Sequence, residues 1–446
     1  MTASARAKAW FTGTFAAIAI LAVLAAIGVA IPRNGLYAIV GALALLVVGA
    51  TVYQPVALPV LAMPALVIVQ RVGGDSTNLS FSDVALFGAF WAALLLGPRP
   101  WSRPLRWLLW LSAVYQVATL FTVIANPYRA NTIEWFHAWL SIAGALVVGW
   151  AVGRSGFART GIILYLIPCF LIAVLTCGVA LGQLARGDTE PVFLDWPFYM
   201  HKNFIGDVLG IAALVLYARP PWLALPRWFT FGGFWLCVAA IAGSQSRQAV
   251  VGLGVAVLVV ALRRGQDVRH TKLVLLAVIP AGILVFQAFQ DQLASGNQFN
   301  SAYQRLTWFQ QSLVVWNQNQ WFGAGLRWWY TDRTGFNFQP PQAELEVLSS
   351  AGTIGLIGFI ILMVGTLVVL WRVAPQYGTL AFTVVLSRLV QGQLDLFWVS
   401  IQTSVPFVIA GVCLGALARS EAEKTARGPD EATVSPALPR GQRVPV

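Results

Sequence analysis

The sequence predicts an all-α fold: a polytopic transmembrane helical bundle of about 12–14 spans. Of the 446 residues, 58% are hydrophobic and only 10% are charged, whereas roughly a quarter of an ordinary soluble domain is charged. The apolar residues form runs of about 17–25 residues, the length with which a helix crosses a bilayer. They lack the alternating segments of about ten residues that build a transmembrane barrel.

In chain order, the apolar runs predict spans near 11–31, 36–52, 54–70, 81–97, 107–125, 134–153, 160–181, 202–218, 226–243, 246–262, 273–290, 344–371, 377–394 and 397–418. The first run is too long for a cleaved signal and is read as a retained helix. The pairs 36–70 and 377–418 are the least regular. If one of them is a broken or re-entrant element, the count falls to 12.

The chain divides into four parts on this pattern. Residues 1–290 hold transmembrane helices, 291–343 form a long loop, 344–418 hold the C-terminal helices, and 419–446 form a polar tail. The tail is rich in charge and Pro, which is typical of a disordered end. We expect it in the cytoplasm.

The formal net charge of +12 reflects topology rather than nucleic-acid binding. With the N-terminus placed in the cytoplasm, alternate links and the tail carry 19 of the 29 Lys and Arg residues. This asymmetry follows the positive-inside rule. It places the loop 291–343 on the outer, extracytoplasmic face of the membrane.

The loop 291–343 is the one long interruption between apolar runs. It holds 14 Asn or Gln and 12 aromatic residues but only three basic and two acidic ones. A solvated linker has the opposite composition, so the loop should be folded. Amides and flat rings suit a sugar chain, for which Trp308, Trp328 and Tyr330 are candidate contacts. The alternative is an aromatic cap at the membrane interface, where Trp and Tyr collect anyway.

Within the loop, residues 301–318 predict a helix, because apolar residues recur every three or four positions. Gly323-Ala324-Gly325 then predicts a tight turn. Arg305 and Trp308 share one face of this helix. Alone, that face would more often be a solvated one.

Two further motifs lie at the predicted outer ends of spans. In Ser244-Gln245-Ser246-Arg247 the arginine sits near the membrane, where a charge is costly unless it is paired or hydrated. Its guanidinium matches phosphate oxygens, although a helix-end arginine that reaches for water would look the same. In His201-Lys202-Asn203, Lys202 adds positive charge and His201 is a candidate general base.

The sequence contains no motif for nucleotide-sugar chemistry with a bound metal, for a phosphate-binding loop or for a metal site. There is no Asp-x-Asp pair for a metal-bound nucleotide sugar, no Gly-rich phosphate loop, and no Cys/His ligand cluster. The four cysteines all lie in apolar runs. We therefore expect neither a metal nor another cofactor, and no nucleic-acid partner.

The order of these motifs resembles the O-antigen ligase and O-antigen polymerase superfamily. The matching features are His201-Lys202-Asn203, Ser244 to Arg247, Arg305 with Trp308, Gly323-x-Gly325-Leu326, and Leu345-Glu346 followed by Leu348, Gly352, Gly355 and Leu356. The resemblance covers roughly 190–410. It implies a membrane glycosyltransferase that moves a glycan from an undecaprenyl-diphosphate carrier to an acceptor sugar, glycan or lipid-linked, with a chain-length regulator as a possible partner.

The resemblance also implies site residues. Arg247 and Arg305 would bind the lipid diphosphate, with Lys202 or Arg327 assisting, and charge neutralisation by arginines would make the reaction metal-independent. A single displacement would invert the anomeric centre. The ligases of this superfamily usually carry a His-Asn pair just before the Leu-Glu step, and the histidine is their favoured base. Here the corresponding positions are Pro341-Gln342. Glu344 and His201 are then the candidate bases, and a polymerase or a relative acting on another surface polymer is favoured over a standard ligase.

Two other functions remain open from sequence. A transporter or flippase for lipid-linked oligosaccharide would need polar residues at mid-membrane and related broken halves. Asp207 and the region Arg388–Asp395 are the candidates, and no internal repeat accompanies them. A peptidoglycan-type glycan polymerase shares the topology and the carrier lipid, but fits the loop motifs less well.

Overall fold

The computed structural model describes residues 49–72, 79–263, 301–331, 333–336, 339–398 and 400–426, with single positions at 21, 283, 287 and 290. Apart from those single positions, the predicted spans near 11–31 and 273–290, and most of 36–52, lie outside the described residues. The predicted tail beyond 426 and the first ten residues of the loop do as well.

The described residues are almost entirely helical. The helices are α1 Ala57–Ala65, α2 Phe81–Leu96, α3 Arg103–Ala125, α4 Arg129–Trp139, α5 Ala145–Arg154, α6 Ala158–Ala185, α7 Lys202–Ala218, α8 Arg227–Ser244, α9 Arg247–Leu262, α10 Ser301–Gln318, α11 Ala343–Trp371, α12 Pro375–Gln391 and α13 Ser400–Ala426. A π-helical turn, Leu140–Gly144, joins α4 to α5. Short antiparallel strands, β1 Arg71–Val72 and β2 Leu79–Ser80, precede α2.

Five of these helical stretches are long and apolar enough to cross a membrane: Arg103–Ala125, Arg129–Arg154, Ala158–Ala185, Ala343–Trp371 and Gln402–Ala426. Two shorter apolar helices are α2 and α9. Together with the composition, they make the chain a multi-pass helical membrane protein, as the sequence predicts.

The element near 54–70 departs from a simple span. Its helix α1 has nine residues, about 14 Å at 1.5 Å per residue, and is too short for a bilayer core of about 30 Å. Pro64 lies inside it, and the β1–β2 pair follows. Residues 54–70 are thus a broken element, the option that the sequence allowed for the pair 36–70.

The centre of the bundle is a close pair of helices, α5 and α13. Gly149 and Gly153 on α5 face Gly411 and Gly415 on α13, each pair spaced by four. A Cβ added to Gly149 would lie 2.0 Å from the carbonyl oxygen of Val408. Small residues at this spacing let two backbones approach closely, which is how helices associate where the surroundings are already apolar.

Two of the basic links donate hydrogen bonds to carbonyls in or just after other helices. The guanidinium of Arg154 donates to the carbonyl of Ala418 (3.1 Å), and that of Arg263 donates to the carbonyls of Trp371 (2.7 Å) and Val373 (3.1 Å). The last helix runs on to Ala426, so residues 419–426 of the predicted tail are helical and include an Arg419–Glu423 pair at 2.7 Å.

Candidate active site

The loop is anchored on a break in helix α11. Gly352 has a φ of +70° inside that helix, which leaves the preceding carbonyls without helical partners. The carbonyls of Ser349 and Ser350 instead accept from the backbone N–H groups of Ala324 (3.0 Å) and Gly325 (2.9 Å). The predicted tight turn, Gly323 to Gly325, therefore supplies the hydrogen-bond donors that helix α11 lacks at its break.

The N-terminal half also holds this turn. The side-chain amide of Asn126 donates to the carbonyl of Gly323 (3.1 Å), and the buried Asn131 accepts from the N–H of Leu326 (2.8 Å). Arg327 follows, with Nε 3.9 Å from a carboxylate oxygen of Glu134. Loop residues 323–327 are thus fixed between α4 and α11.

Above this anchor, the loop closes over a cavity of about 550 Å³. The helix α10 contributes Arg305 and Trp308, as the predicted shared face requires, and this helix spans the predicted residues 301–318. The full lining is His201, Asn203, Arg305, Trp308, Trp329, Tyr330, Gln339, Pro341, Asp395 and Leu396. Residues far apart in the chain, from 201 to 396, therefore share one cavity.

Positive charge gathers at this cavity. Arg305 lies in its wall, and Arg247 is close enough for the two charges to repel. Arg247, exposed at the first turn of α9, also repels Lys202 at the start of α7. Burial lowers the pKa of Arg305, Arg247 lowers it further, and Asp395 opposes the shift. An arginine shifted from so high a value stays charged. Three of the four predicted diphosphate ligands lie together.

The fourth, Arg327, is placed differently. It is buried, with 8% of its surface exposed, beside Glu134. Its guanidinium lies over the ring of Tyr330, 3.9 Å from the centroid. It therefore lies behind the cavity wall, in contact with a residue that lines the cavity.

Asp395 is the carboxylate of the lining. Its Oδ2 accepts from the side-chain amides of Asn203 (3.1 Å) and Gln248 (3.0 Å), and its Oδ1 accepts from the N–H of Leu396 (2.9 Å). Burial raises its pKa, while the hydrogen bond from the Leu396 N–H and the charges of Arg388 and Arg305 lower it in part. Sequence reasoning noted Asp395 only as a mid-membrane acid. The signal it missed was an acid in the short link between two late spans.

His201 lies in the cavity lining as the N-cap of α7. Its Nδ1 accepts from the N–H of Asn203 (3.3 Å), so the neutral ring carries its proton on Nε2. Burial lowers its pKa, which favours this neutral form. In this arrangement the ring is a hydrogen-bond donor, and its lone pair is already engaged by the backbone.

Glu344, the other predicted base, lies beside the cavity but outside its lining. Its carboxylate accepts from the amides of Gln342 and Gln393, the latter at 3.0 Å. Gln342 also caps α11 by accepting from the N–H of Leu345 (2.7 Å). Pro341, the neighbour of Gln342, is the residue of this group that lines the cavity.

Of the three predicted sugar contacts, two line the cavity and one does not. Trp308 and Tyr330 line the cavity, and so does Trp329, whose Nε1 donates to the hydroxyl of Ser349 (3.1 Å). Trp328 instead packs with Val315, Ala324 and Trp329 in a small cluster inside the loop. Among the described residues, that cluster is the loop's own core.

The comparison with known families falls on the same region. Residues 232–360 match the model of the O-antigen ligase family, Wzy_C. The chain carries an O-antigen ligase domain. This domain is that of a glycosyltransferase family, and the resemblance seen in the sequence motifs is confirmed over residues 232–360. The family implies the transfer of a lipid-linked glycan. No curated protein matches the chain.

The O-antigen ligase match begins in α8 and ends in α11. It includes Arg247, Arg305 and the anchored turn. It leaves out His201, Lys202 and Asp395, which the fold brings to the same cavity from outside the matched region. The cavity is thus completed by parts of the bundle that lie outside the O-antigen ligase match.

Proposed function

We propose that the cavity transfers a glycan from an undecaprenyl-diphosphate carrier to the hydroxyl of an acceptor sugar, on the extracytoplasmic face of a bacterial cytoplasmic membrane. The observation that carries the proposal is that Arg305 and Asp395 face one cavity beside the rings of Trp308 and Tyr330. A cation for the leaving group, a carboxylate for the proton and flat rings for the sugar are then in one place.

The diphosphate is bound by Arg305, with Arg247 and Lys202 beside it. A guanidinium offers paired N–H donors that match phosphate oxygens. Positive charge fixed where the diphosphate leaves stabilises the transition state. Because arginines can supply this charge, we propose that transfer needs no added metal ion. Arg327 takes a supporting role through its contact with Tyr330.

In the step itself, the acceptor oxygen bonds to the anomeric carbon as the bond from that carbon to the diphosphate oxygen breaks. The electron pair leaves with the lipid diphosphate. The hydroxyl proton passes to a carboxylate. Attack opposite the leaving group inverts the anomeric centre, so an α-linked donor would give a β-linked product.

Asp395 is the base that we propose. It lines the cavity, and burial raises its pKa toward the range in which a carboxylate can take a proton. Glu344 lies outside the lining of that cavity. His201 already uses its lone pair to cap α7. Glu344 and His201 therefore stay as alternatives, and the experiments below distinguish them.

The acceptor is either another repeat unit, as for a polymerase, or a lipid-linked core sugar, as for a ligase. Pro341-Gln342 replace the usual His-Asn pair, and this departure supports a polymerase or an enzyme of another surface polymer. A chain-length regulator would then be a natural partner.

The test is transfer by the purified protein in vesicles that contain lipid-linked glycan from the native membrane. Wild type should join sugars, with or without a metal chelator, while Arg305→Ala and Arg247→Ala should lose most of the activity. Arg333→Ala is the matched control, since Arg333 belongs to the same loop but stacks on Tyr128 (4.5 Å to the ring centroid). Folding of every variant is checked by thermal unfolding.

Three outcomes would count against the proposal. Transfer that persists in both arginine variants would remove the diphosphate role. A product that keeps the donor configuration would exclude a single displacement. If wild type moves the lipid between leaflets without joining sugars, the chain acts as a transporter.

A further inference from the structure

A buried chain of charges runs from the N-terminal helices to the wall of the cavity. Asp83 Oδ1 lies 3.0 Å from His137 Nε2, His137 Nδ1 lies 3.1 Å from Glu134 Oε1, and Glu134 Oε2 lies 3.9 Å from Arg327 Nε. All four residues are at most 8% exposed. Tyr330 then lies under the Arg327 guanidinium, at 3.9 Å. The chain of charges therefore ends at Tyr330, which lines the cavity.

The charges in this chain compensate one another. Each ring nitrogen of His137 faces a carboxylate, so both are satisfied when both nitrogens carry protons and the ring is a cation. Two acids and two cations then sum to zero. This matters because an isolated buried charge is costly, and losing one member of a buried pair costs about 3–5 kcal/mol.

The Asp83 end of this chain of charges is held by hydrogen bonds at the start of helix α2. Asp83 is the third residue of α2, and its Oδ2 accepts from both the N–H (2.8 Å) and the hydroxyl (2.7 Å) of Ser80. The two residues form a reciprocal cap on the helix. Asn131, Glu134 and His137 follow at intervals of three along α4, so they share one face. Asn131 on that face accepts from the loop N–H of Leu326.

We propose that this charge chain is a positioning device: it fixes Arg327, and through Arg327 the ring of Tyr330, as a wall against which the glycan binds. Asp83, His137 and Glu134 are positioning residues that do not touch substrate. They belong to the N-terminal half, outside the O-antigen ligase match. This inference rests on the proposed function, since it takes the cavity as the glycan site.

The experiment is a double-mutant cycle read by glycan transfer. Glu134→Gln should raise the half-saturating glycan concentration about fivefold and leave kcat within about twofold, because binding is affected and the reacting groups are not. Tyr330→Ala should raise it by at least as much. The double variant should be no worse than Tyr330→Ala alone, since Glu134 acts through Tyr330. Effects that multiply would overturn the proposal.

Glu423→Gln is the matched control, because Glu423 also pairs with an arginine on a helix but at the surface. If Glu134→Gln does not fold, Glu134→Gln combined with Arg327→Gln removes both charges together, and the same rise is expected. A neutralised pair with wild-type kinetics would overturn the proposal.

A second readout does not need transfer. With 3-fluorotyrosine at position 330, ¹⁹F NMR should give one sharp resonance in wild type and a broadened or split one in Glu134→Gln. An unchanged resonance would show that the ring is held without the charge chain. If wild type joins no sugars while the resonance still responds to Glu134→Gln, the proposed function fails and the charge chain still fixes the ring of Tyr330.

Discussion

Gly323 and Gly352 pack backbone against backbone, and each has a left-handed φ, +69° and +70°. A Cβ on Gly352 would lie 2.5 Å from the amide nitrogen of Gly323, which real side chains do not tolerate. The two glycines come from motifs that look separate in the sequence. Their contact is what holds the loop on helix α11, and hence over the cavity.

Gly352→Ala is the first prediction. The backbone of Gly352, with φ +70° and ψ −170°, lies in a region that essentially only glycine adopts. It costs another residue about 1–3 kcal/mol, and overpacking adds about 1–3 kcal/mol. We expect a fall in the melting temperature of about 5 °C or more, with loss of transfer, measured by thermal unfolding in detergent and by the vesicle assay. Gly335→Ala in the same loop meets nothing within 4 Å and should melt like wild type. Equal melting temperatures for the two variants would contradict the packing argument.

Trp308→Ala is the second. Its ring lines the cavity, and an aromatic contact contributes about 0.5–1.5 kcal/mol beyond the buried area. The half-saturating glycan concentration should rise about three- to tenfold, with kcat less affected. Trp321→Ala is the control, because that side chain is 65% exposed and lies outside the cavity lining. If both variants bind glycan like wild type, the rings of the loop serve the membrane interface instead.

Arg388→Met is the third. Arg388 is fully buried and donates to the carbonyls of Leu396 (2.5 Å) and Phe397 (2.6 Å), the turn that carries Asp395. Its Nη1 is 3.9 Å from Asp207. Removing it leaves a buried carboxylate without its cation, at a cost of about 3–5 kcal/mol. Thermal unfolding should show a large loss of stability.

Adding Asp207→Asn to Arg388→Met should restore part of that stability, because the uncompensated charge is then gone as well. Arg372→Met, at an exposed helix end, is the control. A double variant less stable than the single one would mean that Arg388 and Asp207 do not stabilise each other.

The sequence predicts much of the helical frame. The span 202–218 and the loop helix 301–318 coincide with α7 and α10, because their apolar runs and periodicity are local signals. The shared face of Arg305 and Trp308 follows from the same spacing. The motifs around Arg247 and Lys202 also lie at helix ends, as the sequence predicts, and the fold brings them beside one cavity.

Other features depend on contacts that no local pattern shows. Asp395 meets Arg305 only because α12 and α13 bring the turn between them to the loop. Arg327 looks like another diphosphate ligand in the sequence, yet Glu134, nearly 200 positions earlier, holds it behind the wall. Contacts between residues so far apart in the sequence are decided by tertiary packing, so local sequence patterns do not predict them.

The last prediction concerns pH. A base works in its deprotonated form, so transfer should fall as pH falls through the pKa of that base. Burial raises the pKa of Asp395 above its ordinary value of 3.8, which places this fall at higher pH than for an exposed aspartate. Since Arg305 lowers that pKa, Arg305→Gln should move the fall to higher pH still, in whatever activity remains. Initial rates between about pH 4 and 8 measure both.

Asp395→Asn decides whether this carboxylate is the base, because removing a general base lowers the rate about 10²–10⁴-fold. Glu190→Gln, at an exposed acid of another link, is the control. If Asp395→Asn stays active while Glu344→Gln is inactive, the proton goes to Glu344, and the two glutamines that bind it take part in the site. If only His201→Gln is inactive, His201 is the base. Its Nδ1 must then give up the hydrogen bond from the Asn203 N–H before it can take a proton. In either case Asp395 is not the base. The pH at which the rate falls should then no longer follow the effect of Arg305→Gln on the pKa of Asp395.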